Sequence, residues 1–531
     1  MSAPRDLLTI SRVTLRSGLW RGTPEGAAAV CRELLRGRRD WLVAAARHAR
    51  DRPEQLALCD AEESLDWATL HARTQRVAAG LAELGVQPGQ RVAIALRNRT
   101  AHVVASGAAA QLGAVVAPMS SASGPSEVRE RLRRCAVAVV EPHLAEDAAV
   151  GLGARWRAIV HHDAPQGTTP WLHLLASTRP APRGAPRRDA PDAVLYTSGT
   201  TGRSKGSRIS SRDAKPATAF RYIDALSLSS SSIFWTPCPL YHAAPFALAG
   251  LTFILGGTVI VDDRFEERQA VDRISDAGVT HAFLVPALAA RLARLPDAEV
   301  RRLRQSDLSA LVSSGAPLRP ELKSRLQSLL GPVLYDLYGA TELGLVAIGS
   351  PADNAVRPEA VGRVLPGLQT ELRDAAGDRV PSGTRGELYV QSDTVSPGYD
   401  DEPSSPGQQR WGRSGDLARL DAHGFLHVVG RVRDMVVSGG MNIFPAEVEA
   451  VLAAHPSVLD VAVAGVPDER WGEAVHAWVV TEGTPPSLND LKAWVRAQLA
   501  AYKAPRVIHL VDALPRTPTG KVLKRELVAA L

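Results

Sequence analysis

In 66-DWATLHARTQRVAAGLAELG-85, apolar residues at 70, 77, 81 and 84 recur at helical spacing and stop at a glycine, and a short apolar run, 91-RVAIAL-96, follows. The same helix–turn–strand alternation returns at 105–117 and at 268–285. Strands separated by helices pair side by side in parallel, with the helices covering the sheet, so the pattern predicts an α/β fold of stacked layers. At 531 residues the chain exceeds what one core can hold. Past residue 431 the pattern changes. A helix at 445-PAEVEAVLAAH-455 is followed by strands at 458-VLDVAVAGV-466 and 474-AVHAWVV-480, a helix at 489-NDLKAWVRAQLA-500 and a short strand near 507-VIHLV-511. The expected division is a large domain of layered α/β subdomains over 1–432 and a small, mobile α+β domain over 433–531. The Pro/Arg-rich stretch 179-RPAPRGAPRRDAP-191 reads as an exposed linker.

Composition removes several classes of partner. Apolar content of 45%, charged content of 22% and a net charge of +6 suit a soluble enzyme, and no Lys/Arg run carries interleaved aromatics, which disfavours nucleic acid. Cys31, Cys59, Cys135 and Cys238 form no C-x-x-C pair, as expected of a chain in a reducing cytoplasm. The first 20 residues lack the apolar core of a signal peptide. The run 246-FALAGLTFILGGTVIV-261 is short of the roughly 20 residues a membrane helix needs, so it reads as a buried segment. The basic arm 30-VCRELLRGRRDWLVAAARHARD-51 reads as a helix with a solvated face, with a weak peripheral membrane contact as the alternative. Tandem His161-His162 lies outside every motif and reads as surface.

Directly after the linker stands 193-AVLYTSGTTGRSKG-206. Its last five residues fit G-x-S-x-G, but a nucleophile elbow needs the serine at the strand end with a helix behind it, and Ser204 has neither. The spacing does not fit a Walker A loop. What the string offers is a nest: glycines let successive N–H groups converge on an anion, hydroxyls of Thr197, Ser198, Thr200 and Thr201 add donors, and Lys205 adds charge. Lys205 is the first of only seven lysines in a chain whose usual cation is arginine. A phosphate chain suits such a loop.

With 240-LYHAAP-245, 313-SSGAPL-318, 335-YDLYGATE-342, 414-SGDLARLDAHGFLHVVGRVRDMVVSGGMNIFPAEVE-449 and 515-PRTPTGKVLKREL-527, the loop resembles the motif series of the adenylate-forming superfamily: acyl- and aryl-CoA synthetases, nonribosomal peptide adenylation domains and luciferases. The six segments stand in family order over about 330 residues.

The resemblance implies the following roles. Thr197, Ser198, Gly199, Thr200, Thr201, Gly202 and Lys205 hold the pyrophosphate end of ATP. Gly315 and Ala316 line the adenine, Asp336 accepts from its amino group, Tyr338 stacks on its face, and Gly339 belongs to the same Y-G-A-T-E string. Thr341 bonds the α-phosphate and Glu342 holds Mg²⁺. Asp416 accepts both ribose hydroxyls, and Arg431 contacts ribose and phosphate. His242 orients the acid. Lys521, on the small domain, bridges the carboxylate and the α-phosphate; it reaches them only when that domain closes about a hinge at Arg433. Arg433 and Ser204 depart from the family's usual Asp or Lys and proline. The implied reaction joins an acid to ATP through an acyl-adenylate and then to CoA, most like bacterial stand-alone fatty-acyl-CoA synthetases. The uncharged stretches 246–255 and 283–286 suggest an apolar acid. A carrier protein or an amine as acceptor, a diazotase-type use of nitrite with an aryl amine, and a non-catalytic nucleotide-binding protein are the alternatives.

Overall fold

A computed structural model describes the chain outside residues 1–2, 19–21, 27–40, 154–157, 163, 183, 185–186, 188–189, 198–204, 211–213, 401–409, 440, 483–484, 518–519 and 521; the side chains of 3–9, 197, 205, 410 and 442 also fall outside the description. Three sheets organise it.

The first has seven strands, in the order Thr169–Pro170, Ala158–Val160, Val137–Val140, Arg91–Ala95, Val115–Pro118, Ala193–Thr197 and Lys205–Ile209. All pairs are parallel except the last, a hairpin in which Thr197 faces Lys205. The two strands that flank the glycine loop in sequence therefore pair at the sheet's edge.

The second sheet, of thirteen strands, has two characters. Leu56–Cys59, Thr258–Val261, Ile233–Thr236, His281–Phe283, Ala310–Ser313 and Leu334–Ala340 run parallel, with Ser64–Asp66 antiparallel to Leu56–Cys59 at the edge. From Gly344–Gly349 onward, through Gly362–Val364, Phe425–Arg431, Arg410–Leu420, Gly386–Ser392 and Gln369–Arg373, every pair is antiparallel. The parallel strands are apolar and buried, as in Thr258–Val261, because helices cover them. The helix Thr100–Gln111 (TAHVVASGAAAQ) is buried on nearly every side. A Cβ on Gly107 would meet Trp41 and Thr74, so its small residues permit close helix contact.

The run 246–261 is mostly buried, with Ala247 exposed and Phe246, Gly250 and Ile254 half-buried, and splits at Gly256. There the left-handed φ of +84° ends the helix Ala243–Leu255, and the strand Thr258–Val261 follows. No helix among the described residues is long and apolar enough to cross a membrane. The described part of the basic arm, the helix Trp41–Asp51, buries Leu42, Val43, Ala45 and His48.

The third sheet contains Met441–Ile443, Val436–Ser438, Gly472–Thr481 and Val458–Asp468, with Val507–Leu510 parallel to Gly472–Thr481. Helices Pro445–Ala453 and Leu488–Gln498 cover one face, with Val448, Leu452, Leu491 and Val495 fully buried. Ser487 caps the second helix through the Asp490 amide, two residues ahead of the expected start at Asn489. The chain thus forms a large N-terminal α/β domain and a small C-terminal α+β one. Between the Arg431 end of the second sheet and the Val436 start of the third lies a short 3-10 turn, Val432–Asp434, with Arg433 exposed in it.

Candidate active site

Asp416 and Arg431 face one another on adjacent antiparallel strands, and the Arg431 Nε lies 3.2 Å from the Asp416 Oδ1. Tyr338 donates from its hydroxyl to the other oxygen, Oδ2, at 2.7 Å. The strands of Tyr338 and Asp416 are four places apart in the sheet, about 19 Å if it were flat. They meet because the antiparallel end curls back on itself around Leu343, Val346, Leu388, Val390 and Leu426. Asp416 is buried, and its amide is held by Ser414 Oγ at 3.0 Å. Burial, reinforced by the Asp416 charge, pushes the Tyr338 phenol well above its ordinary value, so it remains a donor. A buried, acceptor-only carboxylate between an aromatic ring and a guanidinium suits a vicinal diol carried on a flat base.

The strand of Tyr338 ends in a tight hairpin to Gly344–Gly349, and Thr341 and Glu342 occupy its turn. A Cβ on Gly339 would run into the Gly344 carbonyl, and Gly344 adopts a φ of +75°. Both glycines are therefore structural requirements of the turn. Glu342 accepts from the Tyr399 hydroxyl at 3.1 Å. Among the described residues no group of three or more His, Cys, Asp or Glu could hold a metal. Glu342 alone fits a hard cation that takes its remaining oxygens from phosphates and water, as Mg²⁺ does. Such a cation supplies charge neutralisation on the phosphates.

Gly315, with a φ of +91°, lies just past the strand Ala310–Ser313, with Ala316 half-buried beside it. Among the described residues, a Cβ on Gly315 would find only Val285, at 3.8 Å. One on Gly520 would meet Ala287 at 3.2 Å and Val285 at 3.9 Å. The tail of the small domain thus reaches the rim where the adenine was expected, one residue before Lys521. Lys521 itself lies outside the described residues, as do Ser198, Gly199, Thr200, Thr201 and Gly202. For Thr197 and Lys205 the backbone alone is described. A second contact between the domains pairs Arg319 with Asp460 at 3.9 Å, and Asp460 also binds Arg516 of the tail.

His242 stands at the N-cap position of the helix Ala243–Leu255 without a side-chain cap bond, its ring 4.2 Å from that of Tyr241. Its Nε2 is buried and finds no hydrogen-bond partner among the described residues. Burial pushes its pKa down to about 4, so it is neutral at pH 7 and can orient an acid but carries no charge.

One reading from the sequence changes, that of His161, and one residue gains a neighbour. Asp336, expected to accept from the adenine amino group, is buried, and its Oδ2 is 2.6 Å from the ammonium of Lys323. Burial raises its carboxyl and Lys323 pulls it back down. His161 is half-buried, with its ring 5.9 Å from that of Trp171, and burial pushes its pKa down to about 4.

The motifs also missed supporting residues. Asn98 donates to the Cys238 carbonyl at 2.7 Å and accepts from the Leu240 amide at 2.8 Å, which fixes the loop leading to His242. Its position just past a parallel strand was the available signal. Lys323 carried another, the scarcity of lysine. Tyr399 follows a glycine in 398-GYD-400 and had no spacing to mark it.

A buried carboxylate flanked by Tyr and Arg, a Thr-Glu turn and a small domain whose tail reaches the large one suit a nucleotide-dependent enzyme of two domains. The family model of the AMP-binding enzymes matches residues 45–400, and that of the AMP-binding enzyme C-terminal domain matches 447–521. The chain is 34% identical over 495 residues to a feruloyl-CoA synthase of Amycolatopsis sp, covering 90% of this chain and 96% of that one. It is 30% identical over 503 residues to the fatty acid–[acyl-carrier-protein] ligase ScoC of Streptomyces coeruleorubidus, covering 90% and 94%. Among solved structures it resembles the amide bond synthetase McbA of Marinactinospora thermotolerans, with a TM-score of 0.79 and 29% identity over 90% of this chain and 97% of that one. The chain belongs to the AMP-binding enzyme family, the adenylate-forming ligases.

Proposed function

We propose that this ligase activates an apolar carboxylic acid of the arylalkenoyl or related class with ATP and transfers the acyl group to CoA. A carboxylate oxygen attacks the α-phosphorus, the bond to pyrophosphate breaks, and an acyl-adenylate forms. The thiol sulfur then attacks the acyl carbon, and AMP leaves. The observation that carries the reading is the Tyr338–Asp416–Arg431 cluster beside the Thr341–Glu342 turn. Tyr338 covers the base, Asp416 takes the ribose hydroxyls, Arg431 and Thr341 steady the α-phosphate, and the loop 197–205 holds the pyrophosphate. Lys521 supplies the charge that lets two anions approach, an effect of about 10²–10³ in rate for a comparable donor. Neutral His242 orients the acid, and Arg433 is the hinge between residues 1–432 and 433–531.

The feruloyl-CoA synthase supports an aryl acid and CoA; ScoC and McbA support a carrier protein or an amine as the second acceptor. The test is acid-dependent pyrophosphate release over a panel of cinnamic, arylacetic and fatty acids, each with CoA, with an amine, or with neither. One arm contains nitrite and an aryl amine. Release with a cinnamic acid, and thioester formed only when CoA is present, is expected. Release that needs nitrite and no carboxylic acid contradicts the proposal.

A further inference from the structure

The segment Asp393–Asp400 leaves the strand Gly386–Ser392 and runs between the two halves of the site. Along one edge it joins the strand Lys205–Ile209, which begins where the glycine loop ends. Asp400 N donates to Gly206 O at 2.8 Å, Arg208 N donates to Gly398 O at 3.2 Å, and Ser207 forms a bridge with Tyr399. Ser396 Oγ donates to Arg208 O at 2.8 Å. Along its other edge the segment holds the hairpin turn. Ser396 N donates to Glu342 O at 2.7 Å, Thr394 Oγ1 donates to Leu343 O at 2.9 Å, and the Tyr399 hydroxyl donates to Glu342 Oε1 at 3.1 Å.

Both ends are anchored. Asp393 accepts from Lys215 N at 2.7 Å and from Thr218 Oγ1 at 2.9 Å. The Asp400 side chain is 6% exposed and receives the Arg91 fork, with Arg134 at 3.2 Å; its carbonyl accepts from Arg208 at 3.1 Å. One short segment therefore ties the phosphate hairpin of the first sheet to the Thr341–Glu342 turn of the second.

The geometry points to Asp393–Asp400 as a strap that sets Glu342 relative to the strand Lys205–Ile209, with Tyr399 as the positioning residue for the Glu342 carboxylate. This rests on the nucleotide reading above. Glutamate on a turn has several rotamers, and a hydrogen bond from a tyrosine fixed by the bridge at Ser207 selects one before ATP arrives. Tyr399 touches no reacting atom in this scheme and acts through Glu342.

The test is Tyr399→Phe in the full chain, which keeps the ring and removes only the hydroxyl. The KM for MgATP in acid-dependent pyrophosphate release is expected to rise about five- to twentyfold. The calorimetric Kd for MgATP without acid rises by the same factor, the KM for the acid stays within about twofold, and the melting temperature is unchanged. In a Glu342→Gln background the same substitution adds almost nothing, because its route to the nucleotide is gone. A functioning parent whose Tyr399→Phe variant matches it in MgATP KM and Kd overturns the strap alone. So does an equal loss with Glu342 intact or replaced. A parent that neither binds ATP nor releases pyrophosphate overturns the nucleotide reading and the strap together.

Discussion

Lys323 shows why a chain rich in arginine keeps one lysine buried. Its ammonium donates to Asn354 Oδ1 at 3.1 Å and to the Ala360 carbonyl at 2.6 Å, and lies 2.6 Å from Asp336 Oδ2 as an ion pair. A compact, tetrahedral donor fits that set, and a planar guanidinium does not. Lys323→Ala leaves the Asp336 carboxylate buried without its countercharge, and a loss of about 3–5 kcal/mol in urea unfolding is expected. Lys323→Arg is expected to be destabilising too, which a simple charge requirement does not predict. Asp416 differs because, in the proposed scheme, its charge serves the nucleotide and not the fold. Asp416→Asn keeps the shape and is expected to raise the ATP Kd at least about tenfold, measured by calorimetry, with little change in melting temperature.

At the scale of elements, the hairpin from Leu334–Ala340 to Gly344–Gly349 is the most constrained piece of the site. Gly339→Ala forces a methyl against the Gly344 carbonyl. The turn must shift, and the variant is expected to lose acid-dependent pyrophosphate release by at least about a hundredfold, even where circular dichroism finds it folded. Much of this level was legible in the sequence. Helical spacing and the glycine at 85 give the helix Trp67–Glu83, and the apolar run after it gives the strand Arg91–Ala95. The motif strings pointed to Tyr338, Asp416 and Arg431, which the fold brings together. Partners set by tertiary packing were not legible. Nothing in the spacing of Asp336 marks a lysine thirteen residues upstream as its neighbour, and Tyr399 meets Glu342 only because a loop 57 residues away crosses the turn. Local patterns report period and turn chemistry, whereas such contacts depend on how the second sheet curls.

For the whole molecule, buried histidines set the response to acid. Burial pushes His48 and His102 down to about 4, and both ring nitrogens of His102 lack hydrogen-bond partners among the described residues. Between pH 6.5 and 4 the unfolded chain binds protons at these positions that the folded chain refuses. Stability therefore falls as pH falls, by at most about 1.4 kcal/mol per pH unit for each histidine. Melting followed from pH 7 to 4.5 is expected to show that slope, and His102→Phe is expected to flatten it. Movement of the small domain is tested by joining cysteines placed at Arg319 and Asp460 with a short bismaleimide. Locked in the pose where Gly520 meets Val285 and Ala287, the protein is expected to release pyrophosphate once per site and to form no thioester. Beneath both domains lies one chemical step, the attack of an acid oxygen on the α-phosphorus, and isotope transfer reads it directly. An accepted acid labelled with oxygen-18 in its carboxyl group is turned over to completion with ATP and CoA, and the AMP is weighed by mass spectrometry. AMP carrying one labelled oxygen is the predicted result; unlabelled AMP, or ADP and phosphate in its place, would contradict the account.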